Sequence, residues 1–365
     1  VKAGALSLMT AYNEVDGIPC TANPFLTNQL LRDQWGFAGF VVSDLYSIDG
    51  LISQRMAASR EEAGILALRS GVDSDLGGNC FSTDLVKACR EGRLAEADID
   101  RAVSRILRLK FKMGLFDNPY VKVKKAEKLI GTPGHREVAR EVARQSVVLL
   151  KNENQLLPLS KEVKRVAVIG PNADNVYNQL GDYTAPQAPG SVITVLEGIR
   201  QKLPGAEVCY VKGCAVRDTL DTSIGEACET AKNSDVVVVV LGGSSARDFE
   251  TDFWETGAAV ANERKESGEG FDRIGLSLMG KQVELLKTLY ATGKPVVLVM
   301  IQGRPLELNW AAEHIPAILT AWYPGGEGGR AIADVLFGDY NPAGRLPLSY
   351  PRHVGQLPVY YNHKS

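Results

Sequence analysis

The sequence predicts an α/β protein made of parallel strands joined by helical crossovers. Three observations predict it. Apolar runs of strand length alternate with stretches of helical periodicity along most of the chain. In the second half the runs are continuous rather than alternating, as in "SDVVVVVLGG" and "KPVVLVMIQG", which implies burial on both faces of a layer. The length, 365 residues, exceeds one ordinary core and implies two domains.

The first part opens on a strand, "GALSLMTAYN". "NPFLTNQLLRDQW" follows, with Phe25, Leu26, Leu30 and Leu31 at the spacing of an amphipathic helix. "FAGFVVSD" reads as a strand, "SREEAGILALRSG" as a helix and "VDSDL" as a short strand. Residues 81–116 give two helices broken near Gly92 and closing near Gly114. About three strand–helix units are present, whereas a closed barrel of this kind needs eight. Residues 118–134, rich in Lys, Pro and Gly, read as a linker between a first domain at 1–117 and a second at 135–365. The second domain starts with the helix in "HREVAREVARQS". It continues through the strands "VKRVAVIG", "AEVCYVKG", "SDVVVVVLGG", "KPVVLVMIQG" and "IPAILTAWYPGG", a doubly wound layer.

Composition excludes several classes. Forty-one basic against 43 acidic residues, net charge −2, leave no basic footprint for a nucleic acid. No apolar stretch reaches the roughly 18 residues that span a bilayer. Six dispersed cysteines without a CxxC pair read as free, mostly buried thiols, and four dispersed histidines have no metal-ligand spacing. "YPGGEGGRA" follows a strand and precedes a helix but lacks the spacing of a dinucleotide loop, and no Gly-x-Ser-x-Gly elbow occurs. Neither a cofactor nor a metal is expected.

Two acids stand out. Asp44 closes the apolar run Phe37–Ser43, and in barrels active sites lie at the C-terminal ends of strands. Glu269 lies between two glycines on a segment of more than thirty residues that leaves the strand ending at Leu241. Loops of that length are usually functional or disordered, and open α/β sheets place ligand contacts at that end. Each acid alone has an ordinary reading, Asp44 as a cap and Glu269 as a solvated loop residue. Together, from two domains flanking a cleft, they are what glycoside hydrolysis needs: one ionised, one protonated.

Longer motifs sharpen this. "SLMTAYNEVDGIPCTANPFLTNQLLRDQWGFAGFVVSD", "VARQSVVLLKN", "LGDY", "GEGFDR", "LSLMGKQVELL" and "AWYPGGEGGRAIADVLFGDYNPAGRLPLSYP" resemble glycoside hydrolase family 3 over nearly the whole chain. The resemblance implies the C-terminal part of a (β/α)8 TIM-like barrel followed by an α/β sandwich domain, with the active site at their junction. By it, Asp44 is the nucleophile and Glu269 the acid/base, with Glu266 as fallback. Met9, Tyr12, Leu45 and Tyr46 line the sugar subsite. Asp182 and Tyr183 lie on a loop near the cleft, and Asp272 with Arg273 brace the acid/base loop. Many members carry Trp directly after the nucleophile; here Leu45 stands there, and Tyr46 or Trp254 is left to supply an aromatic platform.

The implied activity is that of a retaining exo-acting β-glucosidase on terminal sugars of β-linked oligosaccharides or aryl glycosides, with β-xylosidase the second choice. An Asp, an Arg and a Lys-His pair that grip sugar in the family have no counterpart here. An upstream or separate polypeptide carrying the first barrel half is therefore an expected partner, and a non-catalytic carbohydrate-binding fragment is the reading from another class. The resemblance favours a periplasmic or extracellular location.

Overall fold

The structure, a computed structural model, describes residues 1–246, 265–269, 271–360 and 362. The chain divides into two compact units between Ala126 and Glu127. The division falls inside the segment expected to be a linker, which carries a short helix rather than open chain.

The first unit holds three parallel strands, β1 (Ser7–Met9), β4 (Phe40–Leu45) and β5 (Ser74–Leu76), in the order β1-β4-β5. Between the first two, β2 (Glu14–Val15) and β3 (Ile18–Pro19) form a hairpin. Its two turn residues, Asp16 and Gly17, both have positive φ, the conformation that an Asp-Gly pair favours. The expected helix after Pro24 is present at Phe25–Gln34, with π-type hydrogen bonding and the Trp35 N–H reaching the Leu30 carbonyl. Asn23 caps it, its Oδ1 accepting from the N–H groups of Phe25 and Leu26.

After β4 come α1 (Ser47–Ser53) and α2 (Arg60–Arg69). Ser59 caps α2, and Glu61 and Glu62 lie in its first turn, as the helix dipole favours. The helices α3 (Thr83–Arg90), α4 (Glu96–Lys112) and α5 (Val123–Leu129) complete the order. Val41, Ile48, Leu51, Ala67 and Val72 form the core between β4 and its helices. Buried Asp73 ties three elements together: it pairs with Arg32 at 2.6 Å and Arg105 at 2.7 Å and accepts the Val41 N–H at 2.9 Å.

The second unit begins with α6 (Pro133–Ser146) and contains a six-stranded sheet. Its strands are β6 (Val148–Asn152), β7 (Arg165–Ile169), β8 (Glu207–Val211), β9 (Val236–Gly242), β10 (Val296–Ile301) and β11 (Ala317–Trp322), in the order β6-β11-β10-β9-β7-β8. Five run parallel. The sixth, β6, is a sheet member that the sequence pattern does not announce, and it adds antiparallel to β11. Around them lie α7 (Val176–Leu180), α8 (Val195–Lys202), α9 (Ile224–Lys232), α10 (Gln282–Tyr290), α11 (Asn309–His314) and α12 (Gly328–Leu336).

The continuous apolar strands have the expected cause. Val238 and Val240 of β9 pack with Leu196, Ile199, Ile332 and Leu336 on one face. Val237, Val239 and Leu241 pack with Ala227, Leu285 and Leu289 on the other. Every residue of β9 is buried because each face meets a helix layer. From β7 the chain passes to β8 on one side and later to β9 on the other, so the strand order reverses between β7 and β9. Open α/β sheets bind ligands at the C-terminal edge of such a reversal.

Candidate active site

In the first unit Asp44 is the penultimate residue of β4, half-buried. Its Oδ1 accepts the N–H of Leu45 at 2.7 Å. The Tyr12 hydroxyl donates to the Leu45 carbonyl at 2.6 Å, and Gln54 Nε2 donates to the Tyr12 carbonyl at 3.0 Å. Tyr46 turns the chain out of the strand with φ of 54°, a left-handed conformation uncommon for a non-glycine residue, while its N–H stays bonded to Leu76 on β5. Gly77 permits this approach, because a Cβ there would lie 2.3 Å from the Leu45 side chain. Tyr12, Asp44, Leu45 and Tyr46 therefore form one local framework. Met9 stands at the end of β1 opposite Val42, two residues short of Asp44, and is 57% exposed.

Ser43 belongs to this framework too, although nothing in the sequence singles it out. Its hydroxyl donates to the Asp44 carbonyl at 2.9 Å and accepts the Leu76 N–H at 2.8 Å, which locks the end of β4 to β5. The strand pairing that brings Leu76 to Ser43 spans 33 residues, and no local pattern announces it.

Beside this framework, Asp49, Asp75 and Cys80 place donor atoms within 4.8 Å of one another. Asp49 is already paired with Arg60 at 2.9 Å and accepts from the Cys80 thiol. Burial, then the neighbouring Asp49 carboxylate, pushes the Cys80 thiol well above its ordinary range. All six cysteines are free thiols.

In the second unit Glu269 is exposed and accepts a hydrogen bond at Oε2 from the Tyr183 hydroxyl. Lys265, wholly buried, donates from Nζ to the Glu269 carbonyl at 3.2 Å and faces Asp182 Oδ2 at 4.0 Å. Arg217 lies over the Phe271 ring at 4.8 Å and donates to the Lys265 carbonyl at 2.8 Å. Glu266, the fallback acid, is 1% exposed. It is ion-paired with Arg273 and accepts from the Ser267 hydroxyl at 2.9 Å.

The expected brace between Asp272 and Arg273 is thereby corrected. Arg273 turns inward to the buried carboxylate of Glu266, and Asp272 is exposed; a buried charge needs the cation more than a solvated one does. Trp254, the other candidate aromatic platform, lies outside the described residues. Among the described residues no helix is long and apolar enough to cross a membrane.

The class these features define is a two-unit α/β protein with a carboxylate at the C-terminal end of a parallel strand and a second on a loop at a sheet's point of strand reversal. Residues 1–109 match the glycosyl hydrolase family 3 N terminal domain and residues 147–365 the glycosyl hydrolase family 3 C-terminal domain. The chain belongs to glycosyl hydrolase family 3.

Among its relatives, a β-xylosidase of Formosa agariphila is 41% identical over 376 residues, covering 99% of this chain and 49% of the relative. A periplasmic β-glucosidase of Salmonella typhimurium is 38% identical over 389 residues, covering 100% of this chain and 48% of the relative. Among solved structures, a β-glucosidase from Erythrobacter marinus superimposes with a TM-score of 0.85 at 40% identity, covering 99% of this chain and 49% of that one. The Listeria innocua β-glucosidase in complex with glucose does so with a TM-score of 0.84 at 34% identity, covering 99% and 47%. The chain spans about half the length of the curated relatives it matches.

Proposed function

We propose that this chain carries the nucleophile and the acid/base of a retaining exo-acting β-glycosidase, a β-glucosidase in the first instance. The observation that carries the reading is the setting of Asp44. A half-buried carboxylate stands one residue before the end of a strand whose Val41 and Ser43 are buried, one oxygen is fixed by the Leu45 N–H, and Tyr12 clamps the Leu45 carbonyl beside it. Rigid support of this kind orients a nucleophile. The Leu45 hydrogen bond to Oδ1 leaves Oδ2 to attack the anomeric carbon.

In the first step the Asp44–carbon bond forms as the glycosidic carbon–oxygen bond breaks, and Glu269 gives its proton to the departing oxygen. In the second step Glu269 takes a proton from water, whose oxygen replaces Asp44 and releases the sugar with its configuration retained. The retaining chemistry requires the two carboxyls to be about 5–5.5 Å apart. The relatives named above divide between β-xylosidase and β-glucosidase, which keeps β-xylosidase as the second reading. A periplasmic or extracellular location is proposed with it, in keeping with the relative named periplasmic.

The test is covalent trapping of the full-length protein by a 2-fluoro glucoside, followed by peptide mapping. Label on Asp44 is expected, and Asp44→Asn should lose about a thousandfold or more in kcat, on the order of 4 kcal/mol of barrier. Reversible sugar binding with no label would favour a carbohydrate-binding role instead. A preference of tenfold or more for nitrophenyl xyloside over nitrophenyl glucoside would move the assignment to β-xylosidase.

A further inference from the structure

The two loops that meet at Glu269 leave the sheet on either side of the strand reversal. Gly181, Asp182 and Tyr183 follow β7 and α7, and Lys265–Glu269 lie beyond the end of β9. Tyr183 and Glu269 are 86 residues apart in sequence, and the phenol nevertheless donates to Glu269 Oε2. The arrangement around that contact is built rather than incidental.

Tyr183 has φ of 58°, a left-handed conformation that is unfavourable for a residue with a Cβ and tends to occur at functional sites. Its N–H is held by Asp182 Oδ1 at 2.8 Å. The other oxygen of Asp182 faces Lys265 Nζ at 4.0 Å, and the same ammonium holds the Glu269 carbonyl at 3.2 Å. A wholly buried lysine is costly unless its charge is partnered, so Lys265 ties the two loops together. Gly268 lets them close: its φ is +103°, and a Cβ there would lie 3.1 Å from Asp182 Oδ2. The side chain of Glu269 is thus gripped from the β7 side, and its main chain by Lys265 of its own loop, whose ammonium in turn faces Asp182.

We infer that Tyr183 is a positioning residue for Glu269: its hydroxyl holds Oε2 and so sets the direction in which the carboxyl presents its proton to the departing sugar oxygen. The inference rests on the acid/base role proposed above. A carboxylic acid carries its transferable proton on one oxygen, and a donor fixed on the other decides which oxygen that is and where it points. Asp182 and Lys265 act one step further out by holding Tyr183 and the Glu269 main chain in register.

The experiment measures kcat/KM of the full-length enzyme and its Tyr183→Phe variant on glucosides graded by leaving group, from 2,4-dinitrophenyl through 4-nitrophenyl to an alkyl glucoside or a disaccharide. Complete loss of a general acid costs typically 10²–10⁴-fold, so a misdirected one should cost about tenfold on the alkyl glucoside and disaccharide, which need protonation, and less than about twofold on the dinitrophenyl glucoside, which does not. A loss of equal size across the series would mark a merely structural role and overturn the inference, as would no loss at all. Glu269→Ala separates the two levels. A steep leaving-group dependence in that variant, with azide restoring turnover of the dinitrophenyl substrate, keeps the acid/base reading standing whatever Tyr183→Phe shows. A flat dependence overturns that reading and the inference together.

Discussion

Glu266 and Glu269 are three residues apart, and their surroundings are opposite, one buried and one exposed. Glu266 is 1% exposed, and its carboxylate is saturated by Arg273 and Ser267. Its N–H donates to the Ser244 carbonyl at 2.9 Å, and a Cβ on Gly243 would lie 1.8 Å from its Oε1. It therefore staples the long loop to the end of β9. Glu269 points outward and has its orientation set by Tyr183 and Lys265. Removing one partner of a buried ion pair typically costs about 3–5 kcal/mol, because the other charge is left uncompensated. Glu266→Ala should thus lower the urea-unfolding free energy by about that amount and leave the leaving-group dependence of whatever activity remains unchanged. If the variant instead kept wild-type stability and acquired the steep leaving-group dependence expected for Glu269→Ala, the assignments of the two glutamates would have to be exchanged.

At the scale of elements, close backbone approach decides what the sheet will tolerate. Helices α8 and α12 meet glycine to backbone: a Cβ on Gly198 would lie 2.1 Å from the Gly329 carbonyl oxygen, and one on Gly329 would lie 1.9 Å from that of Thr194. Gly198→Ala gains up to about 1 kcal/mol in helix propensity and must displace a main-chain carbonyl, so a net loss of about 1–3 kcal/mol is expected in chemical denaturation. A Cβ on Gly225 in α9 would meet nothing within 4 Å, and Gly225→Ala should gain a few tenths to about 1 kcal/mol. The same losses at both sites would mean that packing is not what separates them.

The elements themselves are largely legible in the sequence. Strands β7, β9, β10 and β11 announce themselves because burial on both faces demands unbroken apolar runs, and Ser59 with Glu62 marks the start of α2. The sheet position of β6, the helix after Asp44 and the Asp16-Gly17 hairpin are not. β6 follows a long helix with no turn signal to separate it, and α1 and the hairpin are too short to show a period. Asp44 and Glu269 stand out through strand ends and motifs. The partners that place them, Ser43–Leu76, Arg273–Glu266 and Tyr183–Glu269, depend on which strands and loops become neighbours, and no local pattern encodes that.

Over the whole molecule the charges nearly cancel, with 41 basic and 43 acidic residues, so acid sensitivity depends on where particular carboxylates sit rather than on net charge. In the second unit they are concentrated at the end of α12. Burial alone would raise the Asp334 carboxyl, but hydrogen bonds from Lys202, Arg144 and Arg140 hold it below its ordinary value. Hydrogen bonds from Lys161 and Lys202 hold Asp339 at about 2. Both acids are depressed in the folded state. Their contribution is therefore fully present above the unfolded carboxyl value of about 4 and is lost as pH falls through the folded value. For Asp339 the window runs from about pH 4 down to about pH 2.

The Lys161–Asp339–Lys202–Asp334 chain joins α8 and α12 to the segment before β7, and its protonation should loosen the second unit. Urea midpoints followed between about pH 6 and pH 2 should fall steeply below about pH 4 for the wild type. Asp339→Asn should start lower and fall less steeply over that window, because its share of the titration has been removed. Parallel curves for the two proteins would show that Asp339 carries no linkage to folding, and that acid unfolding is governed elsewhere in the chain.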